Sequence, residues 1–279
     1  MSTWIEAVRA LRAAREPGVL VTVTEVRGHA PRDAGAKMVV SASRTWSSIG
    51  GGNVEEEAIR RARELLESGS SAPTTYVASL SDKAPIQHGV QCCGGQVTVL
   101  LEPLAVVPSI AVFGLGHVGL ELARILARHD VELHLVDSRQ AQLGADLLGP
   151  LDDAVATMHA HHVPVIPELV LAELPQGTSV LVLTHDHAED LAIIDAALRC
   201  RHLGSIGLIG SSAKWTRFRS LLAAAGFSAE DLDRVVTPIG LPGLTTSKEP
   251  AAIALSVAAA WLTSVETPTS VGLAPAEED

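Results

Sequence analysis

The chain has 279 residues, enough for one large or two ordinary domains, and 47% of them are apolar while only 3% are aromatic. Its 21 basic and 32 acidic residues give a formal charge of −11 with no concentrated basic patch, which excludes a nucleic-acid binder and a protein held on anionic membranes. Three cysteines point to a reducing compartment, the amphipathic start M-S-T-W-I-E-A-V-R-A-L-R lacks the core of a signal peptide, and the longest apolar run, from Ile253, is about half a bilayer span, so a soluble cytoplasmic protein is expected.

In chain order, the first expected helix runs from about Thr3 to Ala14 and stops at Pro17-Gly18. V-L-V-T-V-T-E-V (19–26) has the β-branched density of a buried strand, and A-K-M-V-V-S (36–41) reads as its partner across a turn at residues 30–33. A short strand then meets Gly50, Gly51 and Gly52, followed by a helix with apolar residues at Val54, Ala58, Ala62 and Leu65. T-Y-V-A-S-L (75–80) and Q-V-T-V-L-L-E-P (96–103) complete this unit, and 105–108 is a linker.

From Ser109 strands alternate with helices at βαβ spacing. S-I-A-V-F-G, V-E-L-H-L-V-D, T-S-V-L-V-L-T, S-I-G-L-I-G and R-V-V-T-P-I read as strands, and a last helix spans about Glu249 to Thr263. The expected class is therefore α/β, with an N-terminal α/β domain at 1–104, a doubly wound parallel Rossmann-like domain at 109–264, a cleft between the two, and a disordered polar tail at 265–279.

G-L-G-H-V-G (114–119) is the strongest chemical signal. It follows a strand and opens a helix, and Asp137 ends the next strand eighteen residues after Gly119. Gly114, Gly116 and Gly119 suit a tight turn and close phosphate approach, and Asp137 suits a ribose hydroxyl. His117 inside the loop is placed to touch a ligand, and Arg139 leaves NAD against NADP open. The Gly50–Gly52 triplet brings backbone to another helix start, where the readings are an anion cradle or a turn that needs glycine only for its conformation. Three glycines exceed what one turn needs, which favours ligand contact, while Glu55, Glu56 and Glu57 suit the helix dipole.

T-H-D-H-A-E-D (184–190) ends a strand on the ligand-binding edge of an α/β sheet. His185 and Asp186 read as ligand-facing polar groups; a metal held with His187 and Asp190 is the weaker reading, because the spacing departs from that of binuclear hydrolases. M-H-A-H-H (158–162) reads as a solvated loop. Cys92 and Cys93 stand before Gly94-Gly95, either as a buried structural pair or as a thiolate ligand or nucleophile beside open backbone. Cys200, late in a helix, reads as inert.

Taken together, V-T-V-T-E-V-R-G-H-A-P-R-D-A-G-A-K-M-V-V, S-I-G-G-G-N-V-E, Q-C-C-G-G-Q-V-T-V-L-L-E, G-L-G-H-V-G, T-H-D-H-A-E-D, I-G-L-I-G-S-S-A-K and P-I-G-L-P-G-L-T-T-S-K-E-P-A-A-I-A resemble the XdhC/CoxI family of xanthine dehydrogenase accessory proteins, from about Val19 to Leu262. The resemblance implies a chaperone that binds the molybdenum cofactor, guards it while a cysteine desulfurase installs the terminal sulfur, and passes it to apo xanthine dehydrogenase or a related molybdenum hydroxylase. By the family pattern Cys93, with Cys92 second, is the thiolate for molybdenum, the double glycine admits the pterin, and a glycine-rich helix start holds the cofactor's phosphate. A homodimer is expected from the same resemblance. The competing class is an NAD(P)-dependent oxidoreductase that uses the Rossmann half for its own chemistry.

Overall fold

The computed structural model describes residues 3–80, 95–151, 153–166 and 168–266. The chain divides into two compact units, Met1–Val107 and Pro108–Asp279.

In the first unit, helix α1 (Trp4–Ala14) is opened by a capping box in which Thr3 and Glu6 satisfy each other's backbone donors. Strands β1 (Gly18–Arg27), β2 (Lys37–Val40) and β3 (Thr45–Ser47) precede helix α2 (Gly52–Ser68), and β4 (Thr74–Ser79) and β5 (Gln96–Leu104) follow it. They form one antiparallel sheet in the order β3-β2-β1-β5-β4. Alternation along β1 sends Val19, Val21 and Val23 to the face covered by Val54, Ala58 and Ala62 of α2. Leu20 points the other way, where Ala7 and Leu11 of α1 pack against Val39.

The second unit runs β6 (Ser109–Phe113), α3 (His117–Leu126), β7 (Glu132–Asp137), α4 (Ala145–Leu148), β8 (Thr157–His162), α5 (Glu168–Glu173), β9 (Ser179–Val182), α6 (His187–Arg199), β10 (Ile206–Leu208), α7 (Ser212–Ala224), α8 (Ala229–Asp233), β11 (Val235–Val236) and α9 (Pro250–Glu266). All six strands pair in parallel, in the order β11-β10-β9-β6-β7-β8. Helices α3 and α9 cover one face through Leu122, Leu126, Val257 and Trp261. Helices α5 to α8 cover the other through Leu171, Ile193, Phe218 and Leu232. The chain order reverses between β6 and β9, and that switch point is where open α/β sheets take ligands.

One strand was not expected. Residues 157–162, read as a solvated loop, form the edge strand β8, paired along its length with β7. Met158 packs on the α3 and α9 side, and by alternation His159 and His161 share the opposite face with His134. Polar residues at those positions hide the apolar alternation that marks a strand. No helix among the described residues is long and apolar enough to cross a membrane.

Candidate functional site

The loop after β6 lies at the switch point, and its glycines are fixed by contact. Gly114 has φ +98, and a Cβ there would fall 2.6 Å from the carbonyl oxygen of Leu183, at the end of β9. A Cβ on Gly119 would lie 2.1 Å from the carbonyl of Gly114, so only glycine lets α3 pack this close to the turn. Gly116 differs. Its φ of −70 suits any residue, a Cβ would meet nothing within 4 Å, and as the N-cap of α3 it has no side chain with which to cap the helix. Among the described residues no side-chain cap satisfies the first backbone donors of α3, and the positive end of the helix dipole lies behind them. His117, the first helical residue, is exposed beside them.

Asp137 ends β7 and is almost fully buried. Its Oδ2 accepts the Leu115 N–H at 2.7 Å and Arg139 Nη2 at 2.9 Å, and its Oδ1 accepts the Arg139 N–H at 2.8 Å and Arg139 Nε at 2.9 Å. Burial works against the charge, but the Arg139 fork and the two backbone donors outweigh it and hold the carboxyl below the usual range. A carboxylate offers about four lone-pair sites, and all are taken. A ribose hydroxyl, the partner expected from the strand-end position, would have to displace Arg139. In this structure Asp137 instead holds the glycine loop in shape through Leu115.

On the other side of the switch point, Asp190 does the corresponding work for the loop after β9. It is fully buried, and its Oδ1 accepts the Thr184 N–H at 3.1 Å and the Thr184 hydroxyl at 2.7 Å. Its Oδ2 is ion-paired with Lys214, whose ammonium also donates to the Ile209 carbonyl at 3.0 Å, so one pair ties the ends of β9 and β10 together. The sequence reading did not single out Lys214; the signal was a lysine at the third position of a helix that follows a strand of this parallel sheet. Asp186 caps α6 by accepting from Ala188 and Glu189, and these two bonds are the main reason its carboxyl is held low. His185 and His187 are exposed beside it. Among the described residues, His185, Asp186, His187 and Asp190 do not converge as metal donors.

The glycine triplet of the first unit has a different explanation from the one expected. Gly50, Gly51 and Gly52 have φ of +127, +72 and +60, so each position needs glycine for its own backbone conformation. Two of the three glycine donors are occupied: one oxygen of Glu55 accepts the N–H groups of Ile49 and Gly51, each at 3.1 Å, and the Ser48 hydroxyl, whose oxygen in turn accepts the Gly50 N–H at 3.1 Å. The cradle is filled by the chain's own carboxylate. Gly95, the second glycine after the cysteines, also serves the chain itself: a Cβ would fall 2.3 Å from the His29 carbonyl. Cys92, Cys93 and Gly94 lie outside the described residues.

Residues 110–260 match the family model of the XdhC Rossmann domain, and residues 11–77 match that of the XdhC and CoxI family. A relative from Escherichia coli (strain K12), the molybdenum cofactor insertion chaperone PaoD, is 29% identical over 283 residues, covering 91% of this chain and 85% of its own. The uncharacterized protein YqeB of the same organism is 24% identical over 260 residues, 93% of this chain but only 45% of the relative's length. A solved Bacillus halodurans structure described as a xanthine dehydrogenase aligns over 97% of this chain and 98% of its own, with 18% identity and a TM-score of 0.48.

Proposed function

The chain belongs to the XdhC and CoxI family, and from that premise we propose that it is a molybdenum cofactor insertion chaperone. It takes up the cofactor as cargo, guards it during sulfuration by a cysteine desulfurase, and delivers it to apo xanthine dehydrogenase or a related molybdenum hydroxylase. The observation that carries the reading is the uncapped amino end of α3 at the switch point, where Gly116 leaves main-chain donors open to the cargo's phosphate. The likeness to PaoD supports the choice of cargo.

Between the two glycine-rich helix starts, α3 is the better phosphate seat, because the Gly51 N–H is taken by Glu55 and the Gly50 N–H by the Ser48 hydroxyl. His117, His185 and Asp186 border the same edge of the sheet and are the polar groups available to orient the cargo. Cys93, with Cys92 second, supplies the soft thiolate for molybdenum, a role that rests on the family pattern. A homodimer and a cytoplasmic location belong to the same proposal. An oxidoreductase that uses NAD(P) is less well supported, since the acid that would receive the ribose is saturated by Leu115 and Arg139.

The test is the molybdenum and pterin content per chain after coexpression with the cofactor pathway. Cys93→Ala is expected to lose the cargo and keep its thermal unfolding midpoint, while Cys200→Ala keeps the cargo. A Cys93→Ala variant that loads like wild type but melts several degrees lower would make the thiol a packing group and remove it from the site.

A further inference from the structure

We propose that Glu132, His134 and His159 form a zinc site that clips the edge strand β8 to its neighbour β7. Glu132 and His134 are two residues apart on β7 and therefore face the same side of the sheet. His159 is the direct parallel partner of His134 on β8. One donor atom from each of the three lies within 4.8 Å of the others. The His134 and His159 rings are already stacked with centroids 4.6 Å apart. Zinc bonds of about 2.0–2.1 Å place tetrahedral donors about 3.3 Å apart, so small side-chain rotations close the set, with a fourth position left for water.

The setting favours a metal over a solvated histidine face. His134 is only 7% exposed, in a strand whose Leu133, Leu135 and Val136 are buried on its two faces. A further imidazole stands behind it: His161 Nε2 lies 3.1 Å from His134 Nδ1, a hydrogen bond of the kind that fixes the tautomer and orientation of a metal-bound histidine. Two neutral imidazoles and one carboxylate suit a borderline-soft divalent ion. The site is also distinct from the cargo edge. Glu132 begins β7 while Asp137 ends it, and at about 3.3 Å per residue that separates Glu132 from the glycine loop by roughly 16 Å. Its consequence is structural: β8 is an edge strand, and a bound ion adds a cross-strand link that the unfolded chain lacks.

The experiment uses the full chain, stripped with chelator and dialysed against Zn2+, with Co2+ as a spectroscopic substitute. Wild type is expected to retain one Zn2+ per chain and to give tetrahedral Co2+ absorption with no thiolate-to-cobalt charge-transfer band, which separates this site from Cys92, Cys93 and Cys200. His159→Gln and Glu132→Gln, both at partly exposed positions, should abolish the retained ion and the zinc-induced rise in unfolding midpoint. His161→Asn, which removes only the outer hydrogen bond, should weaken binding by about 10- to 100-fold. A wild-type chain that retains no zinc, a cobalt spectrum with thiolate bands alone, or unchanged stoichiometry in a folded His159→Gln chain would each overturn the proposal.

Discussion

Gly116→Asp should make the protein more stable and a worse carrier at once. The backbone at 116 is already extended, and a side chain there meets open space, so an aspartate fits without strain. As an N-cap it would accept the N–H of Val118 or Gly119 and interact favourably with the helix dipole. Together these add about 0.3–1 kcal/mol, which for a unit of this size raises the unfolding midpoint by about 1–3 °C. The same carboxylate occupies the donors proposed for the cargo's phosphate and repels it. At about 5 Å, two unit charges repel by about 1 kcal/mol in water-like surroundings and about 3 kcal/mol at a partly buried site, so loading should fall roughly 5- to 150-fold. Gly116→Asn separates the effects, since it takes the donors without adding charge, and Gly116→Ala controls for bulk. Pterin and molybdenum per chain and thermal unfolding, recorded on the same preparations, read both signs. Gly116→Asp that is stabilised yet loads like wild type would refute the assignment of the phosphate to α3.

Removing one partner of the buried Asp190–Lys214 pair, as in Asp190→Asn or Lys214→Met, should destabilise the second unit by about 3–5 kcal/mol. The double variant should lose less than the sum of the two, which urea unfolding of all three chains would check; simple additivity would mean the ion pair is not coupled. Tyr76, the single tyrosine, has its hydroxyl pushed up to about 12 chiefly by burial, with the Arg61 guanidinium 4.3 Å from the ring centroid. Because the fold favours the neutral phenol, this contribution is complete below about pH 10 and is lost as pH rises from there through 12. A phenolate absorbance titration should have its midpoint near 12, and one near 10 would place the ring in solvent; Tyr76→Phe should be close to neutral at pH 7, since the buried hydroxyl has no hydrogen-bond partner among the described residues.

The G-x-G-x-x-G pattern, its flanking strand and helix, and the αβ rhythm after Ser109 were legible because each rests on local spacing. Gly114 has the positive φ of a tight turn, while the close packing that requires Gly119 is visible only in the structure. The edge strand β8 was not legible, because its inward positions hold His159 and His161, and a strand is recognised by apolar alternation. Asp137 ends its strand as the spacing implied, yet spacing alone cannot reveal that Arg139 folds back to fill its lone pairs. Counting glycines at the triplet favoured ligand contact over a turn that needs glycine only for its conformation, and counting cannot show that all three have positive φ or that Glu55 accepts from Gly51. Non-local partners, such as Lys214 for Asp190 across 24 positions, leave little trace in a single sequence.

The charges around the switch point bear on how the proposed chaperone would release its cargo. Arg139 and Lys214 are the cations built into the two loops, and each is committed to a buried carboxylate, Asp137 and Asp190. Those carboxylates in turn hold the Leu115 and Thr184 N–H groups that shape the loops. The ion pairs thus stiffen the seat without presenting a free positive charge to the phosphate. An anion at α3 would then be held by main-chain donors and a helix dipole, worth about 0.3–1 kcal/mol for the dipole, rather than by a charge-assisted Arg or Lys contact. The net charge of −11 further disfavours tight retention of an anionic cargo. On the proposed function, a rigid seat of modest electrostatic strength would position the cofactor reproducibly while keeping the barrier to hand-off low, which is what a carrier needs and an enzyme with a resident nucleotide does not.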